Sequence, residues 1–329
     1  MKGPDPGPIF QLATGYWASA LMLEASDLGV FSALASGPMT AAGVAERLGT
    51  DIRATAMLLN ALVGLGLLVR SGEGVALSPT SQVFLVPGSP AYLGSALRWS
   101  RDQYEAWGRL REAVRSGGPV VRPEEHLGDD PEQTRAFVMG MHERAIGVAR
   151  AVVGLLGLGA AHRLLDVGGG PGTYSVLAAQ TYPNLRCTVL DLPGVVAIAS
   201  ELVRDSGVAD RVGVAAGDAR SGDYGTEAYD AVLFSGVLHQ MSPAAIARMF
   251  GGAMTALQPG GTVIVSDMML DETKTEPLFS ALFSLQMLLT SAEGAVFSAD
   301  ECVHWLTTAG FEEVSALPLP PPLPYTVVR

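Results

Sequence analysis

The sequence predicts two domains: a mostly α-helical unit of winged helix-turn-helix type over residues 1–116, then a doubly wound, mostly parallel seven-stranded α/β domain over residues 117–329. Three observations carry this. Five β-rich runs, RLLDVG, CTVLDL, VGVAAGD, YDAVLFSG and GTVIVSDM, alternate with helical stretches, the pattern of parallel strands joined by helical crossovers. Between Gly37 and Pro79 a helix, a turn, a second helix and two short strands follow one another. Finally, 329 residues, 48% of them hydrophobic and 16% charged, suffice for two cores with little disorder.

From Pro8 to Ala25 the stripe Ile9, Leu12, Ala13, Tyr16, Trp17, Ala20 and Leu21 predicts a helix, while Phe10, Met22 and Leu23 place apolar groups on its other faces. One core does not cover all of them, so the helix is expected at an interface. Thr40 opens the next helix, Leu48 to Thr50 turn the chain, Asp51 opens another, and two strands flank Ser71-Gly72-Glu73-Gly74. Taken literally this is a DNA-binding element. Its second helix, DIRATAMLLNALVGLG, has Arg53 as its one basic residue, where a groove-reading helix needs several Arg, Lys, Asn or Gln side chains. A formal net charge of −12 argues the same way, against phosphate neutralisation. Packing or dimerisation is the favoured role.

GGPVVRPEE (Gly117 to Glu125) reads as the loop at the domain boundary. The tail ALPLPPPLPYTVVR reads as a stiff connector between two late strands, YTVVR being the last, in preference to a polyproline ligand. Cys187 and Cys302 are the only cysteines, far apart in sequence and without ligand-spaced companions, so neither a disulfide framework nor a zinc site is indicated and reduced cytosol fits best. MKGPDPGPIF has no signal-peptide core, and AVVGLLGLGAA (Ala151 to Ala161) is too short to span a bilayer, so the expectation is a cytoplasmic protein with no membrane partner.

The chemistry centres on LLDVGGGPGTYS (Leu164 to Ser175). The strand ends at Val167, and Gly168, Gly170 and Gly172 permit positive φ and close backbone approach to a ligand at the next helix's N-terminus. A dinucleotide fingerprint fails: the sixth position from Gly168 is Thr173, and Pro171 interrupts the frame from Gly169. No Gly-Lys-Ser/Thr follows for a phosphate loop. Asp191 closes the second strand, where an acid grips a ribose diol, although NAD sites share that feature and a helix cap also explains it. GDA (Gly217 to Ala219) adds an acid suited to an adenine amino group, and the three strand ends together fit one adenosine.

DVGGGPG (Asp166 to Gly172), DLPGVV (Asp191 to Val196), GDA, SGVLHQ (Ser235 to Gln240) and LQPGGTVIVSD (Leu257 to Asp267), behind a winged-helix half, resemble the class I S-adenosylmethionine-dependent small-molecule O-methyltransferases of plant phenylpropanoid, hydroxyindole and bacterial polyketide-tailoring type. The resemblance covers nearly the whole chain. It implies a Rossmann-like catalytic domain, an amino-terminal dimerisation domain, a homodimer, and methyl transfer to a phenolic or enolic hydroxyl of a small aromatic natural product, leaving S-adenosylhomocysteine. It assigns Asp166, Gly168, Gly170 and Gly172, then Asp191 and Leu192, Asp218 and Ala219, and Ser235 to the cofactor. Phe137, Met141, His142 and Met287 fall to the substrate, His239 to the general base and Asp267 to its orienting acid. A second family acid lies in a Gly-Gly-Lys-Glu-Arg-Thr segment. Here that stretch reads TSAEGAVFS (Thr290 to Ser298) with Glu293 out of register, and Gln240-Met241 replaces the family's Asp-Trp or Asn-Trp. Carbon or nitrogen methylation, or non-methylating chemistry, therefore stays open on the same fold, and a winged-helix regulator that senses the cofactor is a further alternative. His126, His142, His162 and His304 form no metal-spaced pair, and the family is metal-independent, so no metal is expected.

Overall fold

The computed structural model describes residues 3–121, 130–321 and 323–329, so His126 and part of the expected boundary loop lie outside the described residues. The chain divides into two units, residues 1–104 and 105–329. The division precedes the expected 116/117 boundary because the helix Leu110–Ser116 packs on the helix Leu278–Thr290, and Trp107 Nε1 donates to Gln286 Oε1 at 2.7 Å.

In the first unit the helix expected from Pro8 to Ala25 is two, Gly7–Thr14 and Tyr16–Asp27, divided at Gly15. The two sequence-read caps form as expected. Thr40 Oγ1 accepts from Gly43 N at 3.2 Å ahead of Ala41–Leu48, and Asp51 Oδ1 accepts from Ala54 N at 2.7 Å ahead of Ile52–Gly64, each satisfying an amide the helix cannot. Strands β1 (Leu68–Ser71) and β2 (Gly74–Leu77) pair antiparallel as the wing. The core gathers Ala25, Phe31, Leu34, Val44, Leu59 and Leu62, leaving Ile9, Phe10, Leu12 and Trp17 each more than 60% exposed.

The second unit is a Rossmann-like sheet of seven strands in the order β5-β4-β3-β6-β7-β9-β8. β3 (Arg163–Val167), β4 (Arg186–Asp191), β5 (Val212–Ala216), β6 (Tyr229–Ser235) and β7 (Leu257–Met268) run parallel, while β9 (Tyr325–Val328) and β8 (Ala316–Pro318) close the edge antiparallel. The late strands are thus two, with the prolines between them as connector. β7 begins earlier than GTVIVSDM suggests, because Leu257 pairs with Tyr229 across an irregularity. Alternate residues feed two cores: Leu164, Leu233 and Ile264 on one face, Leu165, Val167, Val232, Phe234 and Val265 on the other. Burial on both faces explains why these strands read as apolar runs without alternation. Among the described residues no helix is long and apolar enough to cross a membrane, and both cysteines are free and buried.

The helix Pro243–Ala256 reaches the sheet's carboxyl edge through an unusually close contact. A Cβ on Gly252 would lie 2.2 Å from the carbonyl oxygen of Gly222, in the loop after β5. Gly252→Ala should therefore destabilise the fold by about 1–3 kcal/mol, despite alanine's helix preference of roughly 1 kcal/mol over glycine. Equilibrium urea unfolding checks this; an unchanged or raised midpoint defeats it.

Candidate active site

Strand order reverses at β3, whose neighbours are β4 on one side and β6 on the other, opening a crevice beyond the strands' carboxyl ends. The glycine loop, Asp191 and the His239 turn leave the strands at this edge. Gly168, Gly170 and Gly172 all hold positive φ, at 65°, 55° and 75°. A Cβ on Gly168 would sit 2.7 Å from Val237 Cγ2, whereas one on Gly170 would meet nothing within 4 Å, so backbone is bared to open space there.

Asp191 ties this loop to the end of β4. Its Oδ2 accepts from Gly170 N and its Oδ1 from Leu192 N, both at 2.7 Å. These bonds use about two of the four lone-pair directions of a carboxylate. Burial nonetheless pushes its pKa upward. Asp166, at the end of β3, is fully buried; Oδ2 accepts from Ser175 Oγ at 2.8 Å and Oδ1 has no partner. Burial, with a smaller push from the Asp191 charge, raises its pKa to about 7 against the Ser175 bond.

Asp218 follows β5 and is exposed. It accepts from Arg220 N at 2.9 Å and from the Arg220 guanidinium at 3.1 Å. Partial burial works upward on this carboxyl, but Arg220 prevails and holds it below the usual range. Ala219 is buried and its carbonyl accepts from the Tyr224 hydroxyl. Ser235 ends β6 in register with Ser266.

His239 lies in the turn Leu238–Gln240 after β6, and Asp267 near the end of β7; both are buried. His239 Nδ1 is 2.7 Å from Asp267 Oδ1. That oxygen also accepts from Met268 N at 2.8 Å, and Oδ2 accepts from Leu238 N at 3.0 Å and His239 N at 3.4 Å. A carboxylate only accepts, so Nδ1 is the donor of this bond, and in the neutral imidazole Nε2 is the acceptor. The Phe283 ring meets the imidazole edge-on, centroids 5.0 Å apart at 79°. A small cavity beside the pair is lined by Met268, Met269, Phe297, Cys302 and Trp305. The segment over 290–298 approaches the His239 turn at Gly294, where a Cβ would stand 2.7 Å from the His239 carbonyl oxygen. The Glu293 charge acts on Arg220.

Of the four expected substrate residues, Phe137, Met141 and His142 share the helix Pro131–Val152. Phe137 packs with Leu192 on Val138, Val195 and Ile198. Met141 is half-buried, and Met287 is buried on Leu278–Thr290. His142 Nδ1 is hydrogen-bonded to Thr173 Oγ1 at 2.8 Å, joining it to the helix after the glycine loop; burial lowers its pKa, with Glu143 opposing. The sequence reading missed Ser175, Thr173, Arg220 and Phe283. Ser175 and Thr173 stood inside the glycine-loop stretch, but Phe283 lies in LFSALFSLQMLLT, whose apolar run marks no single position. Among the described residues no cluster of three or more His, Cys, Asp or Glu is placed to hold a metal.

The O-methyltransferase domain family matches residues 100–312, and the O-methyltransferase dimerisation domain family matches residues 10–87. The chain is 33% identical to a 3-hydroxy-5-methyl-1-naphthoate 3-O-methyltransferase of Streptomyces sahachiroi, over 94% of this chain and 90% of that one. It is 29% identical to the N,N-dimethyltransferase OxyT of Streptomyces rimosus, over 92% and 90%. Its fold is similar to human N-acetylserotonin methyltransferase solved in complex with S-adenosylmethionine, with a TM-score of 0.87 at 26% identity, covering 100% of this chain and 98% of that one.

Asp166 yields a pH test. Because its folded pKa, about 7, exceeds the ordinary aspartate value, the folded state binds the proton more tightly than the unfolded chain. Its contribution to stability therefore falls as pH rises from about 4 through 7, by at most about 4 kcal/mol. In cofactor-free protein, Asp166→Asn should raise the thermal midpoint more at pH 8 than at pH 5. Equal shifts at the two pH values would show that Asp166 is ionised throughout.

Proposed function

Because the chain belongs to the S-adenosylmethionine-dependent O-methyltransferase family, we propose that it methylates a phenolic or enolic hydroxyl of a small aromatic natural product, with His239 as general base. The buried His239–Asp267 pair, at 2.7 Å and on the same sheet edge as the glycine loop, carries this reading. Similarity to a naphthoate O-methyltransferase supports the aromatic acceptor.

S-adenosylmethionine supplies a methyl group activated by its sulfonium. The site's chain groups fit it: the bared backbone at Gly170, the unpartnered buried oxygen of Asp166, and the lone pairs that Asp191 has to spare. Asp166, Gly168, Gly170 and Gly172 hold its methionine end, Asp191 and Leu192 the ribose, Asp218 and Ala219 the adenine, and Ser235 borders it. Phe137, Met141, His142 and Met287 line the acceptor's cavity. His239 Nε2 would take the proton of the acceptor hydroxyl as that oxygen attacks, and the bound cofactor would supply the methyl group and retain the electron pair of its carbon–sulfur bond. A phenol is a far weaker acid than an imidazolium, so proton transfer accompanies attack. Asp267 fixes the tautomer and stabilises the imidazolium. Nitrogen methylation is the second reading, favoured by the likeness to OxyT; mass-spectrometric screening of phenols and arylamines with labelled methyl donor separates the two.

His239→Ala should leave S-adenosylhomocysteine affinity nearly intact and lower turnover by about 10² to 10⁴. Raising the pH toward the acceptor's own pKa should partly rescue it. Turnover within a few-fold of wild type at pH 7, on an acceptor that is un-ionised there, would leave His239 a structural role only.

The exposed Ile9, Phe10, Leu12 and Trp17 form the self-association face of a homodimer. Light scattering at micromolar concentration should report a dimer, and Leu12→Asp with Trp17→Asp a monomer. A monomeric wild type would remove the assignment.

A further inference from the structure

We propose that Phe283 is a positioning residue that fixes the plane of the His239 imidazole. This rests on His239 being the base. The hydrogen bond from Nδ1 to Asp267 Oδ1 restrains one edge of the ring at 2.7 Å. Rotation about the histidine Cβ–Cγ bond is otherwise broad, because a torsion between tetrahedral and planar centres has shallow wells. A single hydrogen bond is soft in angle, so on its own it lets the ring pitch about Nδ1, and pitching displaces Nε2 across the ring from it. Phe283 supplies the second restraint, meeting the imidazole at 79° with a 5.0 Å centroid separation, the geometry aromatic edges and faces favour.

Phe283 is itself held. Its ring lies nearly parallel to that of Phe279, at 10° with centroids 6.1 Å apart. The helix that carries both is pinned near its carboxyl end, where Gln286 accepts from Trp107 and the Leu289 carbonyl accepts from Val120 N at 2.9 Å and Val121 N at 3.1 Å. At the amino-terminal end Leu278 and Phe279 are 65% and 54% exposed. The imidazole is therefore restrained by two contacts, one with a saturated carboxylate and one with an aromatic ring on a pinned helix.

The test uses full-length protein labelled with ¹⁵N-histidine and saturated with S-adenosylhomocysteine, read by long-range ¹H–¹⁵N correlation, with the His239 signals identified by their loss in His239→Ala. Wild type should show one sharp set with protonated Nδ1 and bare Nε2. Phe283→Leu should broaden or split that set, and Phe283→Tyr, which restores the ring, should sharpen it. Phe283→Met serves in place of leucine if the latter does not fold. On the acceptor found by screening, Phe283→Leu should lower kcat by about 10- to 100-fold, the scale of a small misplacement of a reacting group, with the KM for S-adenosylmethionine unchanged within twofold. An unaltered sharp set in Phe283→Leu overturns the proposal, as does a tyrosine variant no sharper than leucine. Full turnover in His239→Ala is a separate failure, that of the base assignment, and the spectra still report whether Phe283 holds the ring.

Discussion

β3 lies between β4 and β6 and is hydrogen-bonded in parallel register to both, with Leu164 facing Cys187 on one side and Ala231 on the other. Its residues from Leu164 to Val167 are buried, so a shift of register by one position would drive Asp166 and every apolar neighbour into the wrong face. That pairing ends β3, β4 and β6 at nearly one level. The glycine loop, the Asp191 carboxylate and the His239 turn leave the sheet at that level, and their meeting follows from strand register before any side chain of the site is considered.

Four aspartates gather at this edge of a chain already carrying a formal net charge of −12, and each is managed differently. Asp267 is saturated by three amides and an imidazole, Asp191 is held by two amides, and Asp218 is paired with Arg220. Asp166 is held by Ser175 alone, through its hydroxyl and its backbone, and leaves Oδ1 without a partner. The gradient separates groups whose orientation is completed by the fold from one whose second oxygen awaits a donor. A buried acceptor without a partner costs roughly 1–3 kcal/mol, and a site that retains one in the cofactor-free state gains that interaction when a donor arrives.

The fold was largely legible in the sequence because burial on both faces writes a parallel strand as an apolar run, and because Thr40 and Asp51 signal helix starts through a local hydrogen bond. Gly15 was not, since one glycine in a continuous apolar stripe leaves the periodicity unbroken while dividing the helix in space. In the site, what was readable was placement: the positive φ of Gly168 and Gly170 and the strand-end positions of Asp191 and Asp267. Phe283 and Arg220 were not readable. Phe283 touches His239 across 44 positions of chain, and Arg220 lies beside an acid whose expected partner was a ligand. Contacts made through tertiary packing leave no spacing to find.

The contact of Gly252 with Gly222 joins backbone to backbone, with no side chain between them to be exchanged. The loop carrying Asp218 thus has one seat on its supporting helix. The helices Pro131–Val152 and Leu278–Thr290, by contrast, carry Met141 and Met287 as side chains that can be exchanged. Under the cofactor and acceptor assignments proposed above, the molecule is asymmetric for engineering: the side given to adenine is fixed by backbone, whereas the side given to the acceptor is lined by side chains that can be exchanged while the backbone stays as it is.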